Sequence, residues 1–165
     1  MNLILFGFKG CGKTHFGKLL AKKMEKPFLD TDDEIVKLKK GHSIRAVHQS
    51  IGEDAFRATE TTVINSIAHF QGFVISVGGG AVLSAINQKL LQKLGQMVYL
   101  EADFETIKNR SFSWPLDQLK KLYMERLPIY ESIPARKVRV DGLSQSEVLA
   151  ELEAITYCEA SNNGL

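Results

Sequence analysis

Residues 3–14 read LILFGFKGCGKT. The apolar run Leu3–Phe6 is typical of a buried parallel strand, although such a run alone also fits a helix. The run leads into Gly7–Thr14, which fits the pattern G-x-x-x-x-G-K-[ST] without a mismatch. Residues 13–24 then carry apolar side chains at helical spacing. This order predicts a phosphate-binding loop, because backbone N–H groups of the loop and the N-terminus of the helix can point at one anion.

The residues of this loop have separate predicted tasks. Glycines allow backbone conformations that are closed to other residues. Lys13 can reach the β- and γ-phosphates of a nucleotide, and the Thr14 hydroxyl can ligate Mg²⁺. The alternative is a chance match in which the glycines form only a tight turn. Since the motif lies between a strand and a helix, as it must, we predict nucleotide binding by Gly10, Cys11, Gly12, Lys13, Thr14 and His15.

The remaining sequence alternates short apolar runs with longer segments of helical spacing. We predict further strands at residues 27–30, 73–77, 97–100 and 137–140, and helices at 13–24, 31–40, 43–50, 52–69, 84–94, 103–110, 116–126 and 144–157. Pro128 is expected to interrupt the helix that precedes it. The alternation predicts an α/β fold with a parallel sheet covered on both faces. We expect one domain over residues 1–158 and a disordered tail at 159–165.

The composition narrows the class of protein. A chain of 165 residues suits one domain, and a net charge of +2 does not indicate a bulk polyanion such as DNA as the partner. The two cysteines, Cys11 and Cys158, indicate no disulfide scaffold and suit a reducing compartment. No apolar run is long enough to span a bilayer. We therefore expect a cytoplasmic monomer whose partner is a small molecule rather than a nucleic acid or a membrane.

Two carboxylates, Asp30 and Asp32, follow the second predicted strand. Ligands of open α/β sheets bind at the carboxyl ends of the strands, where side chains two residues apart can point into one cleft. One carboxylate can help to hold Mg²⁺, and the other can accept a hydrogen bond from a hydroxyl. On the local pattern alone a structural role is equally good, because Asp32 and Asp33 also suit the first turn of a helix. The nearby phosphate loop favours the site.

Three further groups of residues are candidates for the same cleft. Gly78–Gly80 follow the third strand, where they allow close approach of a ligand or form only a flexible turn. Arg57 either pairs with Glu60 on a solvated helix face or clamps a carboxylate in the cleft. Arg110 and Arg126 lie near predicted helix ends, where arginines usually act as solvated caps.

Taken together, these motifs resemble the shikimate kinase family, in the family's order and over nearly the whole chain. The matching segments are residues 7–14, 28–32, 52–60, 78–80 and 126–130. The phosphate loop is shared by many kinases, whereas D-T-D, F-R-x-x-E and G-G-G in this order are much more specific. The resemblance implies a three-layer αβα P-loop kinase fold with a five-stranded parallel sheet of order 2-3-1-4-5 and a small lid at about residues 111–122. It also implies transfer of the γ-phosphate of ATP, with Mg²⁺, to the 3-hydroxyl of shikimate.

The resemblance implies a role for individual residues as well. Lys13 and Asp32 would be catalytic, the first at the β- and γ-phosphates and the second at the reacting hydroxyl. Thr14 and Asp30 would hold the metal ion, and Arg110 would stack on adenine. The residues implied in substrate binding are Asp32, Arg57, Gly78, Gly79, Gly80 and Arg126. Of these, the two arginines would grip the substrate carboxylate.

Two positions depart from the family pattern. Trp114 stands where the family lid carries an arginine before a Pro-Leu pair, and His48 stands where a phenylalanine is usual. Tryptophan cannot bring a positive charge to the transferring phosphate. Lys9, Lys120 and Lys121 are the lysines that can replace it. Trp114 itself either packs within its loop or faces a ligand.

Two other functions stay open at this point. One is a related small-molecule kinase, such as one for gluconate, although two arginines aimed at a carboxylate argue against it. The other is a non-catalytic nucleotide-binding regulator, which the missing lid arginine favours. The presence of Lys13, Thr14, Asp30 and Asp32 opposes a regulator, because pure binding does not need a carboxylate at the reacting hydroxyl.

Overall fold

The computed structural model describes residues 1–111 and 113–160. Within these residues the chain forms a five-stranded sheet in which every strand pairs in parallel with its neighbours, in the order β2-β3-β1-β4-β5. The strands are β1 (Asn2–Phe6), β2 (Phe28–Asp30), β3 (Val74–Ser76), β4 (Gly95–Glu101) and β5 (Arg136–Arg139). The helices are α1 (Lys13–Lys23), α2 (Thr31–Leu38), α3 (Ile44–Ile51), α4 (Glu53–Ser66), α5 (Ala85–Leu94), α6 (Phe104–Arg110), α7 (Leu116–Ser132) and α8 (Gln145–Ala160), with a 3₁₀ turn at Ala81–Leu83. The predicted α/β fold and strand order are confirmed.

Strand β1 lies at the centre of the sheet. All its residues are buried, as expected for a strand with a neighbour on each side and helices over both faces. Leu5 pairs with Ser76 of β3 and with Val98 of β4. This register places the carboxyl ends of adjacent strands at the same edge of the sheet. The loops that follow β1, β2 and β3 therefore meet there.

Asn2 fixes the opposite end of the sheet. Its side chain is 2% exposed. The Nδ2 atom donates to the carbonyl oxygens of Phe70 (2.7 Å) and Leu94 (2.9 Å), and Oδ1 accepts from the backbone N–H of Phe73 (2.9 Å). One amide group thus ties the start of β1 to the chain entering β3 and to the chain entering β4.

Helix α7 differs from the sequence-based expectation. It continues through Pro128 to Ser132, so the predicted interruption at Pro128 is wrong. A proline inside a helix removes one backbone hydrogen bond. Tyr123 and Tyr130, on either side of it, are buried in the core and hold both halves of the helix against the sheet.

Helix α8 ends the described part of the chain. It reaches Ala160, and the portion of the predicted tail at residues 161–165 lies outside the described residues. In the described residues, no helix combines the length and the apolar character needed to cross a membrane.

We expect Asn2→Ala to lower the free energy of unfolding by about 2–4 kcal/mol, because it leaves buried backbone groups of three residues without partners. Urea denaturation followed by circular dichroism measures this change. Asn65→Ala is the matched control, since Asn65 is exposed on α4. An equal effect of both substitutions would contradict the role of Asn2 as a tie between strands.

Candidate active site

The loop between β1 and α1 has the geometry of a phosphate cradle. Gly12 has a φ angle of 103°, and a Cβ atom added there would lie 2.9 Å from the ring of Phe16. Lys13 is buried, and its Nζ donates to the carbonyl oxygens of Gly7 (2.9 Å) and Phe8 (3.0 Å). The ammonium group therefore holds the loop in shape from within. It also lines the adjacent cleft, where it can meet an anion.

The two carboxylates after β2 have different surroundings. Asp30 caps helix α2, because its Oδ1 accepts from the backbone N–H of Asp32 at 3.0 Å. Its other oxygen, Oδ2, accepts from the Thr14 hydroxyl at 2.7 Å. The capping role that the sequence left open thus belongs to Asp30. The side chain of Asp32 lines the cleft instead.

Asp32 is the titrating group of this cleft. Its pKa is raised to about 6, mainly by burial and also by the neighbouring carboxylate of Asp30, against the opposing effect of the Lys13 ammonium. A Cβ atom added to Gly78 would lie 2.4 Å from Oδ1 of Asp32, so a larger residue there would displace the carboxylate. A partly desolvated carboxylate with a pKa near 6 is suited to accept a proton at neutral pH.

Arg57 pairs with two glutamates of its own helix beside the glycine loop. Its Nε donates to Glu53 and its Nη1 to Glu60, each at 2.7 Å. Glu60 is only 3% exposed, so this is not a pair on a solvated face. The guanidinium also covers Gly80, where an added Cβ would lie 2.1 Å from Nη1. The two glutamates fix the orientation of Arg57 beside the glycine loop.

Arg126 lies within α7 rather than at a helix end. Its Nη1 is 3.5 Å from the position of a Cβ added to Gly79. The Nε atom is buried and has no hydrogen-bond partner in the described residues. The Tyr130 hydroxyl donates to the carbonyl oxygen of Gly79 at 2.6 Å and joins α7 to the same loop. A buried donor without a partner favours binding of an acceptor.

The outer end of the cleft is less polar. Arg110, at the end of α6, donates to the carbonyl oxygen of Gly10 at 3.2 Å. His15 lies 2.8 Å from Oε1 of Gln145, measured from Nε2. Val140 and Leu143 also line the cleft here. The expected position of Arg110 at the cleft is thus observed, whereas its stacking on adenine stays a prediction.

These residues surround a cleft of about 680 Å³. The predicted site residues that line it are Gly10, Gly12, Lys13, Thr14, His15, Asp30, Asp32, Gly79 and Arg110. The predicted residues Cys11, Arg57, Gly78, Gly80 and Arg126 do not line this cavity. Cys11 is fully buried beneath the phosphate loop. The others lie beside Gly79, where Arg126 approaches Gly79 and Arg57 covers Gly80.

Sequence reasoning missed the contribution of the chain near α8. Leu143 and Gln145 line the cleft, although about 130 residues separate them from the phosphate loop. The signal for their position is the pattern Ser144-x-x-Glu147 at the start of α8, which is typical of a capping box. There the backbone N–H of Ser144 donates to Glu147 at 2.7 Å.

The two departures from the family pattern have clear positions. His48 contacts the carboxylate of Glu53 and packs edge-on against Phe56, with ring centroids 4.7 Å apart. It lines a smaller cavity of about 230 Å³ together with Trp114. The Nζ atom of Lys9 lies over the ring of Trp114, 3.7 Å from its centroid. The predicted lid at residues 111–122 includes residue 112, which lies outside the described residues.

We expect Asp32→Asn to stabilise the free protein at pH 7.5 by about 1–3 kcal/mol. The pKa of Asp32 is higher in the folded protein, about 6, than its ordinary value of 3.8. The protonated form of Asp32 is therefore the one that the fold favours. Its contribution to stability is complete below pH 3.8 and is lost as the pH rises through about 6. Thermal unfolding at pH 4.5 and 7.5 measures the difference. Asp33→Asn, exposed on the same helix, is the control, and a gain that did not grow with pH would argue against a buried Asp32 carboxylate.

Comparison with known proteins gives the family. The shikimate kinase family model matches residues 9–156. A shikimate kinase of Symbiobacterium thermophilum is 33% identical over 92% of this chain and 94% of that protein. Another, from Streptococcus gordonii, is 37% identical over 90% of this chain and 96% of that protein.

Solved structures agree in fold. A shikimate kinase from Acinetobacter baumannii in complex with shikimate superposes with a TM-score of 0.86 at 27% identity, covering 96% of this chain and 93% of that one. The shikimate kinase from Aquifex aeolicus gives a TM-score of 0.81 at 30% identity, covering both chains completely. The α/β architecture is thus shared, and this chain belongs to the shikimate kinase family.

Proposed function

We propose that this chain transfers the γ-phosphate of ATP to the 3-hydroxyl of shikimate, giving shikimate 3-phosphate and ADP. The observation that carries the proposal is the position of Asp32. It lines the cleft with Lys13 of the phosphate loop and lies against Gly78, at the start of the loop that contacts both arginines. The acceptor hydroxyl and the donor phosphate can therefore meet at one carboxylate.

The nucleotide would lie along the phosphate loop. Backbone N–H groups of residues 10–15 and the N-terminus of α1 would bind its phosphates. Lys13 would exchange one of its carbonyl partners for phosphate oxygens. The base would lie at the less polar end of the cleft, against Arg110 and near Gln145.

Shikimate is a small acid with three hydroxyls, and the wall around Gly79 suits such a molecule. Arg126 offers a buried Nε donor that has no partner in the described residues. Arg57 lies across Gly80, oriented by Glu53 and Glu60. Two guanidinium groups can bind one carboxylate with parallel, charge-assisted hydrogen bonds. This places the ring of the acid between the arginines and Asp32.

The transfer needs positioning more than covalent help. The acceptor oxygen forms a bond to the γ-phosphorus while the bond to the bridging oxygen of the β-phosphate breaks, and ADP leaves with that electron pair. Asp32 accepts the proton of the acceptor hydroxyl. With a pKa of about 6, it is mainly ionised at neutral pH and more basic than an ordinary aspartate.

Mg²⁺ suits the oxygen atoms next to Lys13. The Thr14 hydroxyl and the Asp30 carboxylate lie together, and both are ligand types that this ion prefers. The described residues contain no group of three or more metal-binding side chains. Mg²⁺ commonly binds to one or two protein groups with water and phosphate oxygens. Bound there, the ion would neutralise charge on the β- and γ-phosphates.

Other properties stay predictions from the sequence. They are a monomeric state, a cytoplasmic location, the absence of nucleic-acid and membrane partners, and a lid at about residues 111–122 that keeps water from the γ-phosphate. The gluconate kinase and the regulator are the two alternatives that the assay below separates.

ADP release from ATP and Mg²⁺ tests the proposal. We expect release to depend on shikimate, with gluconate giving no more than the rate without acceptor. Asp32→Asn should lower kcat at least ~100-fold while ATP still binds, since proton acceptance is lost. Release with gluconate alone would identify the other kinase. ATP binding without release for either acid would favour the regulator.

Arg126→Lys tests the grip on the carboxylate. We expect the KM for shikimate to rise at least ~10-fold with a smaller change in the KM for ATP, because lysine keeps the charge but not the planar pair of donors. Steady-state kinetics with each substrate varied in turn gives both constants. Arg136→Lys, exposed on β5, is the matched control. An unchanged KM for shikimate would remove Arg126 from the acceptor site.

A further inference from the structure

Lys9 is a charged residue of the phosphate loop that the mechanism above does not use. It occupies one of the variable positions of G-x-x-x-x-G-K-[ST]. Its side chain is partly buried and lines the 680 Å³ cleft beside Gly10, Gly12 and Lys13. The ammonium is therefore on the same surface as the groups that would bind the nucleotide phosphates.

The Lys9 ammonium rests on an aromatic ring. Its Nζ is 3.7 Å from the centroid of Trp114, in the segment just before α7. Tryptophan is the best aromatic partner for a cation, because its ring face carries the largest negative potential. Trp114 is partly buried and packs against the main core, so it is a fixed platform rather than a free side chain. The contact places Lys9 at the junction of the loop and that segment.

The charges around Lys9 are positive. Its pKa is lowered to about 8, mainly by burial and also by the guanidinium groups of Arg45 and Arg126. Among the described residues, no carboxylate forms an ion pair with Lys9. Cations grouped beside a phosphate cleft attract an anion. Without the ring of Trp114, repulsion from the two arginines would favour positions of Lys9 further out in solvent.

The other lysines near this segment are not placed for the same role. Lys120 and Lys121 are both exposed on α7, and neither lines the cleft. Lys121 lies 3.9 Å from Glu125 on its own helix. Of the three lysines that the sequence offered in place of a lid arginine, Lys9 is the one that the structure brings to the cleft.

We propose that Lys9 is a further phosphate-binding residue, which contacts the γ-phosphate of bound ATP, and that Trp114 is the positioning residue that holds its ammonium there. The inference rests on the proposed function, because the anion it names is ATP. Lys9 takes no proton during the reaction. It stays charged and neutralises part of the negative charge on the γ-phosphate oxygens as the bond to the β-phosphate breaks.

The test compares binding of ATP and ADP to the full chain by calorimetry without an acceptor. We expect Lys9→Met to raise the Kd for ATP at least ~10-fold and the Kd for ADP less than about threefold, because only ATP carries the γ-phosphate. Lys9→Arg should keep most of the ATP affinity, since it keeps the charge. Lys120→Met, exposed on α7, is the matched control and should change neither constant.

A double-mutant cycle tests the positioning role of Trp114. Trp114→Leu should weaken ATP binding, as Lys9→Met does, and Trp114→Phe should have a smaller effect. In the Lys9→Met background, Trp114→Leu should weaken ATP binding little further. Trp114 is the only tryptophan of the chain, so its fluorescence reports directly on this contact. ATP should change the emission of the wild type more than that of Lys9→Met. Circular dichroism checks that each variant is folded, and Lys9→Gln replaces Lys9→Met if the latter is not.

Equal losses of ATP and ADP affinity, or no loss, would overturn the phosphate role of Lys9. Additive effects of the Lys9 and Trp114 substitutions would overturn the positioning role of Trp114. Because these measurements need no acceptor, they stand even if shikimate is not phosphorylated, which would refute only the proposed function. A wild type that did not bind ATP would refute both.

Discussion

The parallel pairing of β1 with β3 and β4 is the constraint on which the site depends. Leu5 is level with Ser76 and Val98, so the chain leaves neighbouring strands at one edge of the sheet. The phosphate loop, the carboxylates after β2 and the glycines after β3 meet there without long connections. A shift of the register would separate donor groups from acceptor groups. The buried apolar residues of β1 prevent that shift, because each would lose its place in the core.

Charge in this cleft is arranged so that each buried group has a compensating neighbour. Glu60 is almost completely buried and is paired with Arg57, while Asp30 accepts from Thr14 and from a backbone N–H. Asp32 is the exception, since burial raises its pKa to about 6. A carboxylate held in this unfavourable state costs stability in the free protein. In the function proposed above, it would gain a partner when the acceptor hydroxyl binds.

The sequence predicted the fold and much of the site because the phosphate loop and the strand pattern are local signals. The exact strand order came from the resemblance to a family rather than from periodicity. Other features depend on tertiary packing and have no local signal. Pro128 was expected to end a helix, but the core contacts of Tyr123 and Tyr130 keep that helix intact. Gln145 reaches the cleft only because α8 packs beside α1.

Helix α7 begins two residues after Trp114, carries Arg126 in its middle, and is joined by Tyr130 to Gly79. One helix thus lies next to both the Lys9–Trp114 contact and the glycine loop. A substitution that slides or tilts α7 to fit a different acid also moves the start of the helix next to the Lys9–Trp114 contact. Arg57, on α4, is held by two glutamates of its own helix, and its link to Trp114 is only indirect, through Glu53 and His48. Redesign of acceptor selectivity, whether by evolution or in the laboratory, is therefore less constrained through α4 than through α7.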